Sequence, residues 1–218
     1  MNTASRGQIA LNYALLTLFS FMALFPVFGV FLASVYPSGT QPSSFAPPPH
    51  LDFHNFVTAW TNGHFSMYFR SSAIVAISTV VASTILSILG GYAFGIFWFR
   101  AAFLSAPKSL IEAARIDGAS TFRMMWRIMI PFAWPAILIF MVLTFADSWD
   151  EFFLALVLTT SDSHLTAPAG LTVFSSKYLL NIPIVAAGAV IVSVPIIVVF
   201  LIFQRQFIRG VLTGAVKQ

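Results

Sequence analysis

The sequence predicts an all-α membrane protein, a polytopic bundle of transmembrane helices, and its composition and hydropathy lead to that prediction. Of its 218 residues, 58% are hydrophobic and only 8% are charged, whereas a soluble domain carries about 25% charged residues. The mean hydropathy is +0.88. The apolar residues lie in long runs, and a helix needs about 20 mostly apolar residues to cross the hydrocarbon core. Most of the chain is therefore expected to lie within a membrane.

Four apolar runs are long enough to cross a membrane as helices. Arg6 precedes the first run, as it would in a signal peptide, but the run is too long for the apolar core of such a peptide. We therefore predict that it is retained as a helix. The four predicted spans cover residues 9–33, 71–94, 132–158 and 184–207.

Basic residues orient the bundle, because cytoplasmic loops of membrane proteins are enriched in Lys and Arg. With the four predicted spans, only Arg70 and Lys177 lie on the outer side. We therefore predict that both termini and the polar segment 107–131 are cytoplasmic. This distribution also accounts for the net charge of +4 without a nucleic-acid partner. The basic residues on the inner side are Arg6, Arg100, Lys108, Arg115, Arg123, Arg127, Arg205, Arg209 and Lys217.

Several kinds of chemistry are not expected of this chain. It contains no cysteine, so it has neither a disulfide framework nor a thiol nucleophile. No phosphate-binding G-x-x-x-x-G-K-[ST] loop is present, and we therefore do not expect the chain to hydrolyse ATP. No set of nucleophile, base and orienting residue indicates an enzyme. Neither a metal site nor a cofactor is predicted, because the histidines are scattered through polar loops, at His50, His54, His64 and His164.

The polar segment 107–131 has the signals of a helix-turn-helix hairpin. Ser109 and Glu112 fit a capping box, which predicts a short helix over residues 110–116. Gly118 is expected to end that helix, since glycine readily adopts the left-handed conformation found there. Ser120 can then cap a second helix that leads into the third span.

The second helix of this hairpin has two faces. Arg123 and Arg127 lie four residues apart, which favours a solvated or headgroup-facing pair, although contacts with a partner protein are also open. The apolar face is expected mainly to pack against the bundle. Methionine would also suit a docking surface that must adapt to its partner. The apolar residues are Met124, Met125, Ile128 and Met129.

The hairpin contains Glu112-Ala113-Ala114, Gly118 and Ile130-Pro131. These residues resemble the EAA loop of a known family, the membrane-spanning subunits of bacterial ABC importers. The segment 107–120 resembles the carbohydrate-uptake branch, the permeases of maltose, oligosaccharide and glycerol-phosphate type. Residues 196–205 and 210–217 are like the last span and the tail of that branch, and Trp149-Asp150-Glu151-Phe152 is similar to its Trp-Asn-Glu-Phe. The resemblance covers nearly the whole chain.

The resemblance implies a permease subunit of an ATP-driven importer in a bacterial inner membrane, with a sugar or a related polyol compound as its solute. The implied partners are a second permease, two cytoplasmic ATPase subunits and an extracytoplasmic solute-binding protein. The hairpin would insert into a cleft on the ATPase, although Glu112 is also explained by a purely structural capping role. The implied coupling residues are Glu112, Ala113, Ala114, Asp117, Gly118, Arg123 and Arg127.

A second candidate site lies where acidic residues interrupt the third span. Burying a carboxylate at such depth in the membrane costs free energy, so these side chains should face a cavity, a partner or an interface. They could line the permeation path, with an indole stacking on a sugar face. Equally, the span could end at Ala146 and leave them in water or against the partner permease. The segment comprises Asp147, Trp149, Asp150, Glu151 and Phe152, and Asp150 replaces the usual asparagine of the family.

The same three carboxylates allow a competing class, an ion-coupled secondary transporter or channel that works through Asp147, Asp150 and Glu151. That class predicts buried, paired carboxylates, and it leaves the hairpin unexplained.

The chain also departs from the family near Phe94-Gly95. Family members resemble the residues on both sides of this point, but they carry about two more spans between them. Six spans are therefore expected for the family, and four are found here. The loss of an even number of crossings keeps the hairpin on the cytoplasmic side. A natural deletion, a defective copy unable to transport, and residues missing between the two ends all remain open.

Overall fold

Helices form almost all of the regular structure in the computed structural model, which describes residues 6–42, 46–94, 103, 106–159, 161 and 164–215. A π-helical turn (Met125–Met129) joins the fifth helix to the sixth. The helices are α1 (Arg6–Ser34), α2 (His54–Asn62), α3 (Phe65–Phe94), α4 (Lys108–Ile116), α5 (Thr121–Met124), α6 (Ile130–Trp149), α7 (Phe153–Leu158), α8 (Ala167–Lys177) and α9 (Ile182–Ala215).

Four helical segments of the described chain are long and apolar enough to cross a membrane, which agrees with the predicted helical membrane fold. They are Gly7–Ser34, Phe65–Gly90, Thr121–Trp149 and Ile182–Gln206. The third differs in its limits from the predicted 132–158. It takes in α5 and the π turn, and it ends at Trp149 with Asp150 as its C-cap. The apolar residues that follow form the separate short helix α7.

The chain divides into two compact units, and the first comprises Met1–Ser66 and Gly170–Ser193. Its core is centred on Phe65, which is fully buried and lies edge-to-face with Phe174 at a centroid distance of 5.4 Å. Gly188 of α9 lets the helices approach, because a Cβ there would lie 3.1 Å from Leu171 and 3.3 Å from both aromatic rings. In contrast, the most apolar window of α1 has none of its residues buried, as expected of a helix that meets lipid or another subunit.

The second unit comprises Met67–Ala169 and Val194–Gln218. Its core joins the base of the hairpin to the long helix α6. Five partly buried apolar residues pack against this core: Ile88 of α3, Ile111 of α4, and Ile130, Phe140 and Met141 of α6. The hairpin is thus attached to the bundle at its base. The buried members of this core are Phe103, Ala106, Met129, Ala133 and Ile137.

Candidate functional site

The first candidate site is the hairpin, whose first helix starts differently from the prediction. Pro107 is at the N-cap of α4, and no side chain makes a capping hydrogen bond there. Ser109 already lies in the first turn, so the predicted capping box of Ser109 and Glu112 is wrong. The fixed φ of proline suits a helix start and places the cap two residues earlier.

The turn of the hairpin is closed by a Schellman motif around Gly118, as its glycine predicted. The amide of Ala119 donates to the carbonyl of Ala114 at 3.0 Å, and the amide of Gly118 donates to the carbonyl of Arg115 at 3.0 Å. Gly118 has a φ of +69°, and a Cβ on it would meet no atom within 4 Å. Its conformation, rather than the surrounding space, therefore requires glycine.

The second helix begins as predicted, with Ser120 at its N-cap. The Oγ atom of Ser120 accepts a hydrogen bond from the amide of Arg123 at 3.3 Å. Behind this cap the methionine face turns inward, since Met124, Met125 and Met129 are all buried. The predicted packing role of these methionines is confirmed. The arginine pair is exposed on the other side of the helix.

The tip of the hairpin is exposed and partly apolar. Ile116 has 86% of its surface exposed and Phe122 has 67%, and the Phe122 ring lies 6.1 Å from that of Trp126. Glu112 and Ala113 are exposed beside them, whereas Ala114 is buried. A role for these apolar side chains was not predicted. The signal for them was a pair of large apolar residues flanking a glycine turn in a polar loop.

The second candidate site surrounds the acidic segment at the C-terminal end of α6. An open pocket of about 530 Å³ contains two of the three carboxylates, Asp147 and Glu151, together with Ser148. Its other polar walls come from α3, α6 and the segment before α8. The residues lining the pocket are Val75, Thr79, Thr144, Asp147, Ser148, Glu151, Leu154, Ala155, Leu158, Thr159, His164 and Thr166.

Hydrogen bonds hold the acidic segment in place at the start of α7. The carboxylate of Glu151 accepts from the amide of Leu154 at 2.8 Å, and the hydroxyl of Thr166 donates to the carbonyl of Glu151 at 3.0 Å. The amide of Ala167 in turn donates to the buried Ser72 hydroxyl of α3 at 2.7 Å. These bonds bring the segment before α8 against the pocket.

Trp149 and Phe152 are not among the residues that line the pocket. Only 3% of Trp149 is exposed, because it stacks on Phe145 at 5.7 Å and meets Phe69 edge-to-face at 5.4 Å. In this structure the indole packs inside the protein, where a sugar could not stack on it. Phe152 is half-buried and forms the N-cap of α7.

Asp150 also stands apart from the pocket. It caps α6 immediately beyond the span that ends at Trp149, and its side chain is exposed. Partial burial raises the pKa of the Asp150 carboxyl, and the negative charge of Asp147 raises it further. Asp150 therefore interacts with Asp147 through its charge but does not line the pocket with Asp147 and Glu151.

Several residues that line the pocket were not predicted. Thr79 and Thr144 are small hydroxyl residues within apolar spans, which is a weak signal. His164 and Thr166 lie in a loop and had no signal at all. Among the described residues, no group of three or more His, Asp or Glu side chains is arranged to hold a metal ion.

The chain is similar to permeases of known transport systems. It is 28% identical to the arabinooligosaccharides transport system permease protein AraQ of Halalkalibacterium halodurans, over 91% of this chain and 92% of the relative. It is 24% identical to the diacetylchitobiose uptake system permease protein NgcG of Streptomyces coelicolor, over 99% and 91%. One similar solved structure is a bacterial ABC transporter involved in the import of the acidic polysaccharide alginate. Its TM-score is 0.78 at 22% identity, over 94% of this chain and 99% of that one, which establishes the fold.

The alignment with the arabinooligosaccharide permease is longer than this chain. It extends over 258 positions but takes in 91% of the 218 residues, about 198, so at least about 60 positions have no counterpart here. That agrees with the expectation that relatives carry additional residues, enough for about two spans. Gly95, where the interruption was predicted, lies outside the described residues.

The description of one protein family, an inner membrane component, fits the helical membrane fold. The model of that family matches residues 3–212, nearly the entire chain. The resemblance found in the sequence is thereby confirmed. The chain belongs to the family of inner membrane components of binding-protein-dependent transport systems.

Proposed function

We propose that this chain is a permease subunit of an ATP-driven importer, that it forms half of a translocation path for a sugar or a related polyol, and that its hairpin couples to a cytoplasmic ATPase. One observation carries the proposal. A single helical run extends from Thr121, beside the exposed hairpin tip, to Trp149, beside the polar pocket. Its 29 residues cover about 43 Å at 1.5 Å per residue.

This helical run gives the coupling a physical route. Phe122 near one end is exposed for contact with a partner, and Met129 farther along is fixed in the bundle core. Asp147 and Ser148 at the other end line the pocket. A partner that binds the tip differently in two states would therefore bias two arrangements of the pocket wall. The π turn between tip and core is a feature that recurs at functional sites in helices.

The pocket chemistry supports a polyhydroxylated solute. Carboxylates accept hydrogen bonds from sugar hydroxyl groups, and the hydroxyls of Thr79, Thr144 and Ser148 can both donate and accept. The two permeases compared above are described as carrying arabinooligosaccharides and diacetylchitobiose. A neutral oligosaccharide fits both observations.

The proposed assembly contains a second permease, two ATPase subunits and an extracytoplasmic solute-binding protein. The family description names the binding protein and the inner membrane. The distribution of basic residues, nine on the side of the hairpin against two, supports cytoplasmic termini. The hairpin then faces the compartment that contains ATP.

The ion-coupled alternative has no observation in its favour. Asp147 and Asp150 are both exposed rather than buried as a pair, and the family description specifies dependence on a binding protein. A truncated permease without transport activity is distinguished from an active one by uptake measurements on reconstituted transporter.

Ile116→Asp is expected to weaken binding of the ATPase subunits about tenfold or more, because a large exposed apolar side chain at a docking tip acts as an interface anchor. Co-purification and binding titration in lipid nanodiscs measure the effect. Leu51→Asp is the matched control, since Leu51 is also largely exposed, at 60%, but lies in the loop before α2. Equal ATPase binding by the parent and Ile116→Asp would refute the coupling role.

Asp147→Asn combined with Glu151→Gln is expected to raise the KM for solute uptake about tenfold or more, since each hydrogen bond to a charged group contributes about 1.5–3 kcal/mol. Binding of the ATPase should stay unchanged. Asp150→Asn serves as the control, because it removes a neighbouring carboxylate that does not line the pocket. A KM shift in the control as large as that in the double variant would argue against the pocket.

A further inference from the structure

Helix α2 presents an apolar face to its surroundings. Phe53, Val57 and Trp60 recur at helical spacing, and each is exposed, with 54% of the Val57 surface accessible. The opposite face carries Asn55 and Ala59, which are fully buried. The usual amphipathic pattern of a soluble surface helix is therefore inverted.

Both ends of α2 are held beside the ends of candidate membrane spans. At its start, the Asn55 amide group donates to the carbonyl of Ser34, the last residue of α1, at 3.0 Å and to that of Tyr36 at 2.7 Å. At its finish, Gly63 and His64 lead directly into α3. Helix α2 therefore lies at the ends of two candidate spans, the depth at which a bilayer of ordinary thickness would end.

A second exposed apolar element lies at the same end of this unit. Leu179 and Leu180 form the turn between α8 and α9, and both are highly exposed. The loop after α1 links this turn to α2, because the amide of Gly39 donates to the Asn181 side chain at 3.3 Å. The hydroxyl of the preceding residue, Ser38, donates to the Asn55 side chain at 2.6 Å.

We propose that this apolar surface, formed by Phe53, Val57, Trp60, Leu179 and Leu180, inserts into the lipid leaflet at this end of α1 and anchors the unit in the bilayer interface. Residues 53–62 include no Asp, Glu, Lys or Arg, so the helix lacks the charged rim of a typical docking surface for a soluble protein. Aromatic and aliphatic side chains on one face of a short helix are what an interfacial membrane helix requires.

The residues around the turn fit the same boundary. The Nζ atom of Lys177 lies 6.0 Å from the centroid of the Tyr178 ring. Tyrosine and tryptophan are enriched at membrane interfaces, and lysine can extend its charge towards the headgroups. The anchor does not depend on the proposed coupling to an ATPase.

The absence of cysteine from the chain makes a direct test practical. Single spin labels at Val57→Cys and Leu180→Cys, and at the control Asn62→Cys on the opposite side of α2, where the side chain is exposed, are compared in nanodiscs containing the complete transporter. Oxygen concentrates in the bilayer, whereas a nickel chelate stays in water. We expect the ratio of oxygen to nickel collisions to be several-fold higher at Val57 and Leu180 than at Asn62.

Three results would overturn the anchor. Equal collision ratios at all positions would mean that the surface faces water. Protection that develops only after a solute-binding protein is added would identify a protein-docking surface. Labels at Val57 and Leu180 that are immobile and shielded from both oxygen and nickel would mean that another subunit covers them.

Discussion

Gly118→Pro is expected to abolish ATPase binding and solute uptake while leaving the helical bundle intact. Proline fixes φ near −65°, whereas Gly118 adopts +69°, so the turn of the hairpin cannot close. The substitution also removes the amide that donates to Arg115. The exposed tip at Ile116 and Phe122 would no longer be presented as one surface. Binding titration with the ATPase and uptake into proteoliposomes measure the two losses, and circular dichroism measures the helix content.

Gly39→Pro provides a closely matched control for that experiment. Gly39 also has a positive φ, +78°, it is also exposed, and a Cβ on it would also meet no atom within 4 Å. Its amide likewise donates one hydrogen bond, to Asn181. It lies in the loop after α1 rather than in the hairpin, so ATPase binding should persist. If the two proline variants bind the ATPase equally well, the hairpin is not the coupling element.

Asn55→Ala is expected to destabilise the first unit by about 2–6 kcal/mol, because two buried carbonyls, those of Ser34 and Tyr36, lose their donor and each buried unpaired group costs about 1–3 kcal/mol. The change also removes the acceptor of the Ser38 hydroxyl. The melting temperature in nanodiscs, followed by intrinsic tryptophan fluorescence, should fall. Proteolysis of the loop between α1 and α2 should accelerate.

Asn62→Ala is the control for the Asn55 variant, since it removes the same side chain from an exposed position on the same helix. Its melting temperature should stay close to that of the parent. A small shift for Asn55→Ala, no larger than that for Asn62→Ala, would mean that the bonds around Asn55 contribute little to stability.

Local chemistry explains what could be predicted of the hairpin. Gly118 and Ser120 were identifiable because a left-handed residue and a capping hydroxyl each act within about four residues of the chain. The predicted capping box at Ser109 was wrong because a second helix-start signal lies close to it. Pro107 begins the helix two residues earlier. The exposed Ile116 was missed because hydrophobicity alone does not distinguish a docking residue from a core residue.

The sequence predicted only some of the residues that line the pocket. Asp147 and Glu151 were identified because charge is rare in an apolar span. Nothing in the sequence connects them to Thr79 or to His164, which come from other segments. Trp149 was assigned to the path by its neighbours in sequence, yet its ring packs on Phe69 and Phe145. Which side of a helix faces the pocket depends on how the helices pack.

The sequence by itself determined the helical membrane fold, because long apolar runs are enough to place helices in lipid. It determined the family through its motifs, and it determined the form of the hairpin turn because the hydrogen bonds of a helix end involve only neighbouring residues. Only the tertiary structure decided which residues line the pocket and that Trp149 is buried. Those features depend on contacts between segments far apart in the chain, and they exist only once the helices have packed.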